Sequence, residues 1–392
     1  MERSELIPST HRAERMFLLE LLAGNARDFD LDAAAFLAIT PQKLLPFVAA
    51  QLHGRKAPQT LTDSLRAASR ASALRELRRG AELQRIDAAL SAAGVRFLVL
   101  KGPVLAATVY PSRASRTMTD LDLLVSEEAL PRATEALLDA GYEFPLQFAG
   151  AVSAAGDIPP LIYREPGGPS IELHTMLESL PDERNAFERM WPGARRVDVG
   201  HGLALMTLDR AEFFAHVVTH VSKHHRFENE LRSLLDVALL LRSDEAAFDM
   251  SESLAIWDRR GISEWLALTL RLAHLLLGSA LPAAVAARKV PDEALRIAAE
   301  QLWVTEKSPV ASRIVETISR VPLSPVHPRV PATRSLLAKE GRGLRALAAR
   351  QMLYLRRALF AASRPQVVAT QVELHRKRER LFTLIEGDRR AE

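Results

Sequence analysis

Two aspartates one residue apart, Asp120 and Asp122, are the side chains in this sequence best arranged for chemistry. They lie in Thr119-Asp-Leu-Asp-Leu-Leu-Val125, where Leu121, Leu123 and Val125 alternate with them. The alternation predicts a strand. Side chains two apart on a strand share a face, so both carboxylates point the same way, roughly 7 Å apart at the backbone. Like charges held that close repel. A hard divalent cation such as magnesium removes the repulsion, above all when substrate phosphate completes its coordination. Two solvated aspartates at a strand end are the plainer alternative. Upstream, the apolar run Phe97-Leu-Val-Leu100 ends in Lys101-Gly-Pro103. The run reads as a buried strand. Gly102 reads as a helix cap and Pro103 as the first helical residue, where a missing N–H costs nothing. A helix start at a strand end suits an anion such as phosphate, and Lys101 adds a full positive charge. Arg116, just before the acids, offers a bidentate fork for a second phosphate contact.

Leu100-Lys-Gly102, Tyr110, Arg116 and Met118-Thr-Asp-Leu-Asp-Leu-Leu-Val125 together resemble the bacterial family of uncharacterised nucleotidyltransferases, within the DNA-polymerase-β-like nucleotidyltransferase superfamily. The similarity is strongest over residues 94–145. It continues through Ile171-Glu-Leu-His174 and the histidine-rich stretch near residue 220. The resemblance implies an α+β fold with a small mixed sheet and a nucleoside triphosphate (NTP) as donor substrate. It implies two-metal transfer of a nucleoside monophosphate to an acceptor, with pyrophosphate released, and Mg2+ or Mn2+ as cofactor. It also implies a third carboxylate on a strand beside the Asp-x-Asp strand. Glu172 is the candidate, a surface Glu at a strand end being the alternative. On this reading Asp120, Asp122 and Glu172 are the catalytic, metal-holding acids, and Lys101, Gly102 and Arg116 hold the triphosphate. One residue departs from the pattern. The superfamily carries Gly-Ser at the helix start, where the hydroxyl touches phosphate. Pro103 has neither hydroxyl nor N–H, so phosphate binding rests on Lys101 and other amides, or is weaker.

The elements that must position these groups follow from the pattern. Strand 96–100, helix 103–110, strand 120–125 and a helix from Glu127 to Ala140 make a β-α-β-α unit, which fits an α+β class. Residues 142–148 and 160–165 read as further strands and Gly150–Pro160 as a loop. Residues 1–93 form an N-terminal helical region. It ends in one long helix over 62–93, with Leu74, Leu77, Ile86 and Leu90 on its apolar face. Gly80 is a point of interruption, and Arg66, Arg70, Arg75, Arg78, Arg79 and Arg85 form a solvated face. The nucleotidyltransferase core spans 94–200, a helical bundle 201–320, and a basic helical C-terminal region 321–392.

Three further groups stand near this chemistry. His174 shares a strand face with Glu172, as an indirect support for the acids, a substrate contact or a packed polar group. His216, His220 and His224 repeat every four residues, with Glu212 extending the row. That suggests a transition-metal site, but four groups along a straight row cannot surround one ion. The cluster therefore reads as structural or substrate-facing, with His220 a substrate candidate. Asp236 lies in an apolar run and must be buried and paired. Arg232 is its expected partner, and a substrate role for Asp236 stays open beside a structural one.

Composition sets the outer limits. With 392 residues and 48% hydrophobic content the chain can bury a large core. It has no cysteine, which excludes disulfides, thiolate metal sites and thiol catalysis. It contains no run of about eighteen apolar residues, so no membrane span is expected. Met1-Glu-Arg-Ser-Glu lacks the pattern of a secretion signal, and a cytoplasmic location is expected. Residues 301–392 hold eighteen Lys or Arg against eight Asp or Glu. There Arg342, Arg345, Arg350, Arg356 and Arg357 interleave with leucines. That pattern suits a helix closing a bundle, or contact with nucleic acid or an anionic surface. The preferred acceptor is a small molecule or peptide. The alternatives are a non-catalytic relative that binds nucleotide or a partner, and an RNA-modifying nucleotidyltransferase using the basic region.

Overall fold

A computed structural model of the chain describes residues 2–143, 161–163, 169–180, 185–304 and 365–387. The chain divides into two compact units, Met1–Trp303 and Val304–Glu392. In the second, the described element is a single helix, Pro365–Glu386. The Pro-rich stretch 321–331 and the basic stretch 342–360 lie outside the described residues.

The first unit begins with helices α1 (Arg12–Ala23), α2 (Ala33–Ile39), α3 (Leu45–Gln51) and α4 (Gln59–Ala92). The Asp32 carboxylate starts α2 by accepting the N–H groups of Ala34 and Ala35. Phe17, Phe29 and Phe36 meet edge to face at 5.2–5.8 Å and seal the helices together. The long helix α4 runs unbroken through Gly80. A Cβ there would lie 2.4 Å from the His201 ring, so the glycine serves close packing and not a break. The expected faces of α4 are partly exchanged. Leu74 and Leu77 are 61% and 63% exposed, while Glu76 and Arg79 are buried. Glu76 accepts from Arg79, Arg113 and His201, and this network draws a charged pair inward where leucines were expected.

The sheet follows. β1 (Leu98–Val99) leads through Lys101 into α5 (Gly102–Thr108), and β2 (Asp120–Leu124) into α6 (Leu130–Asp139). Short strands β3 (Tyr142–Glu143), β4 (Leu161–Tyr163) and β5 (Ser170–His174) complete five strands in the order β1-β2-β5-β4-β3. β2 and β5 are parallel and the other pairs antiparallel, so the sheet is mixed. The expected loop Gly150–Pro160 and residues 144–148 lie outside the described residues.

Beyond α7 (Ala186–Met190), the hairpin β6 (Arg195–Gly200) and β7 (Leu203–Thr207) joins the first strand through the Thr207 hydroxyl, which donates to the Val99 carbonyl at 2.7 Å. α8 (Arg210–Thr219), capped by Asp209, runs into a π-helical turn at His220–His224. α9 (Leu231–Leu241), α10 (Met250–Arg259), α11 (Ser263–Leu277), α12 (Ala283–Ala286) and α13 (Asp292–Leu302) finish the unit. α11 is buried on nearly every side, from Trp265 to Leu277, and forms the centre of this bundle. Among the described residues no single helix is long and apolar enough to cross a membrane.

Candidate functional site

Parallel pairing sets Asp122 directly opposite Glu172, and Asp120 opposite Ser170. Leu121, Leu123, Ile171 and Leu173 turn the other way into the core. The donor atoms of Asp122, Glu172 and His174 lie within 4.8 Å of one another. His174 Nε2 stands 2.9 Å from Asp122 Oδ1 and 3.7 Å from Glu172 Oε2. Burial works to raise the Asp122 pKa, but the His174 hydrogen bond and the charge of Lys101 outweigh it and hold the carboxyl well below the usual range. Glu172 shifts upward, through burial first and then the neighbouring charges of Asp122 and Asp120.

Lys101 is the hinge between strand and helix. Its backbone has φ +44° and ψ −99°, a conformation that L residues seldom adopt. Such strain persists only where surrounding structure enforces it. The ammonium lies 3.1 Å from Asp122 Oδ1 and 3.3 Å from each His220 ring nitrogen. α5 is only seven residues long and carries Pro103 in its first turn, so its dipole is a weak anion trap beside this full charge. Gly102 is needed for space: a Cβ would sit 2.8 Å from Met118 Sδ and 3.2 Å from Arg116 Nη1.

The Arg116 fork is taken up by Asp236. Nε and Nη2 donate to the two carboxylate oxygens at 2.9 and 2.8 Å, and the Tyr110 hydroxyl donates to Oδ1 at 2.6 Å. All three side chains are buried. This corrects the expected pairing of Asp236 with Arg232, whose Nη1 donates instead to the Thr117 carbonyl. Four residues along a helix brings two side chains to one face, but a tertiary partner with a complementary fork wins the buried carboxylate.

A family model of uncharacterised nucleotidyltransferases matches residues 28–278, from before α2 to the end of α11. The chain belongs to that family. No curated protein matches it. The match takes in the acids, the lysine turn and the histidine-rich helix alike.

Asp120, Asp122 and the lysine turn open on a cleft of about 240 Å³, lined by Lys43, Lys101, Gly102, the 116–120 segment, Asp122, His220, His225, Glu230, Arg232 and Asp236, with Glu172 and His174 outside this lining. A separate, larger hollow of about 570 Å³ lies between α3 and α4, away from the acids. The chemistry of the donor set fits a divalent ion. Two carboxylates and an imidazole converge, one acid is held ionised, and the other is crowded by like charge that a cation would relieve.

Sequence reading gave no role to three contributors. Lys43, from the N-terminal helices, reaches Glu230 at 3.5 Å across the cleft, and Thr117 donates its hydroxyl to the Lys43 carbonyl. Glu178 meets three histidines: His216 at 3.5 Å, His220 at 3.8 Å and His224 at 3.2 Å. His225 reaches His220, with 2.9 Å between their Nε2 atoms. Lys43 and Glu178 stand outside any periodic pattern, so nothing local marks them. His225 adjoins the helical row but depends on the π turn. Glu212, once counted in that row, pairs with Arg260 instead.

Proposed function

We propose that this chain transfers a nucleoside monophosphate from an NTP to an acceptor hydroxyl, with release of pyrophosphate, in a magnesium- or manganese-dependent reaction. The observation that supports it is the convergence of Asp122, Glu172 and His174 within 4.8 Å, next to a lysine held on a strained strand-to-helix turn. Asp120, Asp122 and Glu172 hold the ions. Bound divalent ions neutralise phosphate charge and lower the pKa of the acceptor hydroxyl. In the resting chain Lys101 and His174 share Asp122 Oδ1. With a cation on the acids, Lys101 would face the triphosphate as a phosphate-binding charge, and His174 would keep the acids oriented. Arg116 lends positive charge through Nη1, beside Gly102, because its fork serves Asp236. The cleft is smaller than the ~300–1,000 Å³ of typical ligand cavities, which suits the phosphate chain more than the whole nucleotide.

The acceptor we favour is a small molecule or peptide, in the cytoplasm. We read residues 94–200 as the core, with 1–93 and 201–320 as helical supports and 321–392 as a basic region.

The test incubates the full chain with each labelled NTP, magnesium and cell extract, and follows transferred label. Asp120→Asn with Asp122→Asn is the control. Label on a small molecule or peptide, lost in the double variant, supports the reading. Label that persists in the variant overturns the metal site, and label on RNA overturns the acceptor class.

A further inference from the structure

We infer that His220, His224 and His225 form a transition-metal site of their own, suited to zinc and distinct from the acidic pair. A straight row of histidines cannot enclose an ion, but the helix does not stay straight here. The π turn at His220–His224 closes with the His225 N–H donating to the His220 carbonyl, five residues back, at 3.0 Å. That wider turn carries His225 round beside the other two. One ring nitrogen from each of the three lies within 4.8 Å of the others. Their ring centroids are 4.4–5.0 Å apart. Three imidazoles and an open position are a zinc donor set, and imidazole favours zinc, copper or nickel over magnesium.

The surroundings are those of a ligand set held in place. Glu178 takes the Nδ1 side of His220 and of His224, at 3.8 and 3.2 Å. At His224 the carboxylate is within hydrogen-bonding reach, which fixes the tautomer that leaves Nε2 for a metal and makes it more basic. The side chain of His224 is 53% exposed, which gives an ion an entry path, whereas His220 is mostly buried. Lys101 contacts both His220 nitrogens, so a cation there would confine the lysine to Asp122 and link the two sites.

The test uses the full chain without a polyhistidine tag, stripped with EDTA, and titrated with Zn2+ by calorimetry and with Co2+ by visible absorption. We expect one zinc per chain, a cobalt d–d band of tetrahedral intensity, and no displacement by millimolar Mg2+. Asp120→Asn with Asp122→Asn keeps both signals. His225→Ala loses them, and so does His224→Ala, which changes an exposed side chain and should fold. Glu178→Gln weakens zinc by about 10–100-fold. No zinc binding to the wild-type chain, or binding that survives both histidine variants and vanishes with the aspartates, overturns the proposal. The aspartate arm keeps its failure separate from that of the nucleotidyl-transfer reading.

Discussion

Arg116 and Asp236 face each other through two parallel hydrogen bonds, 120 positions apart in the chain and almost wholly buried. The pair fastens the loop entering the acid strand β2 to the bundle helix α9. Burial alone would lower the Arg116 pKa, yet the adjacent carboxylate raises it, so the guanidinium stays charged in the interior.

Asp236→Ala leaves Arg116 charged and unpaired in the interior. It should cost about 3–5 kcal/mol of stability. Arg116→Met combined with Asp236→Leu should recover most of that loss, since a buried ion pair can be exchanged for apolar packing at small cost. Urea unfolding midpoints of the single and double variants decide this. Equal losses in both would show that the pair itself carries the stability.

Lys101→Met removes the charge beside Asp122 and should weaken triphosphate binding about 10–100-fold, the loss of one charge-assisted hydrogen bond. Lys101→Gly should weaken it as much without destabilising the fold, because glycine accepts the φ of +44° freely. Equilibrium dialysis with labelled triphosphate, next to unfolding curves, tests both halves.

Gly102→Ala places a methyl 2.8 Å from Met118 Sδ. The expected cost is about 1–3 kcal/mol of overpacking. Because the obstacle is a flexible side chain, Met118→Ala should cost less stability in the Gly102→Ala chain than in the parent chain. A pair of additive losses in thermal unfolding would refute the steric account.

His216 predicts an acid-sensitive fold. Burial, partly opposed by Glu178, depresses its pKa to about 3, while the unfolded chain titrates near 6.5. Below that value the unfolded state binds a proton that the folded state refuses. Stability should therefore fall as pH drops from ~6.5 toward 3, by at most about 1.4 kcal/mol per pH unit. His220 shifts in the same direction, again through burial first. Glu178 is held far below the normal carboxyl range: burial opposes this, and the hydrogen bonds of His220 and His224 prevail. Its stabilising share is lost mainly as pH falls through and below the ordinary Glu pKa of ~4.3, and Glu172, shifted upward, works in the opposite direction, so the fall between about pH 5 and 6.5 belongs to the histidines. His216→Phe should flatten the slope there in metal-free urea titrations. An unchanged slope would remove His216 as the cause.

The acid strand, the strand-to-helix turn at Lys101 and the mixed α+β architecture were legible in the sequence, because each depends on period and punctuation over a few residues. Alternation placed Asp120 and Asp122 on one face, and Gly-Pro marked the start of α5. The lateral pairing of β2 with β5, which sets Asp122 opposite Glu172, was foreseen only by resemblance. Partner choice could not be read locally. Asp236 has an arginine four residues away and another 120 positions away, and the distant one takes it because the buried fork matches two carboxylate oxygens at once. The inward turn of Glu76 and Arg79, and the outward turn of Leu74 and Leu77, likewise follow from Arg113 and His201 arriving from elsewhere.

Sequence by itself determined the strand and helix pattern around the acids and which way the paired aspartates point. Only the tertiary structure decided that the π turn brings His225 round beside His220 and His224, that Glu178 stands behind them, and that Lys101 bridges His220 and Asp122. Local periodicity acts over one or two turns of chain. Long-range electrostatic pairing and close packing are settled only when the whole interior is filled.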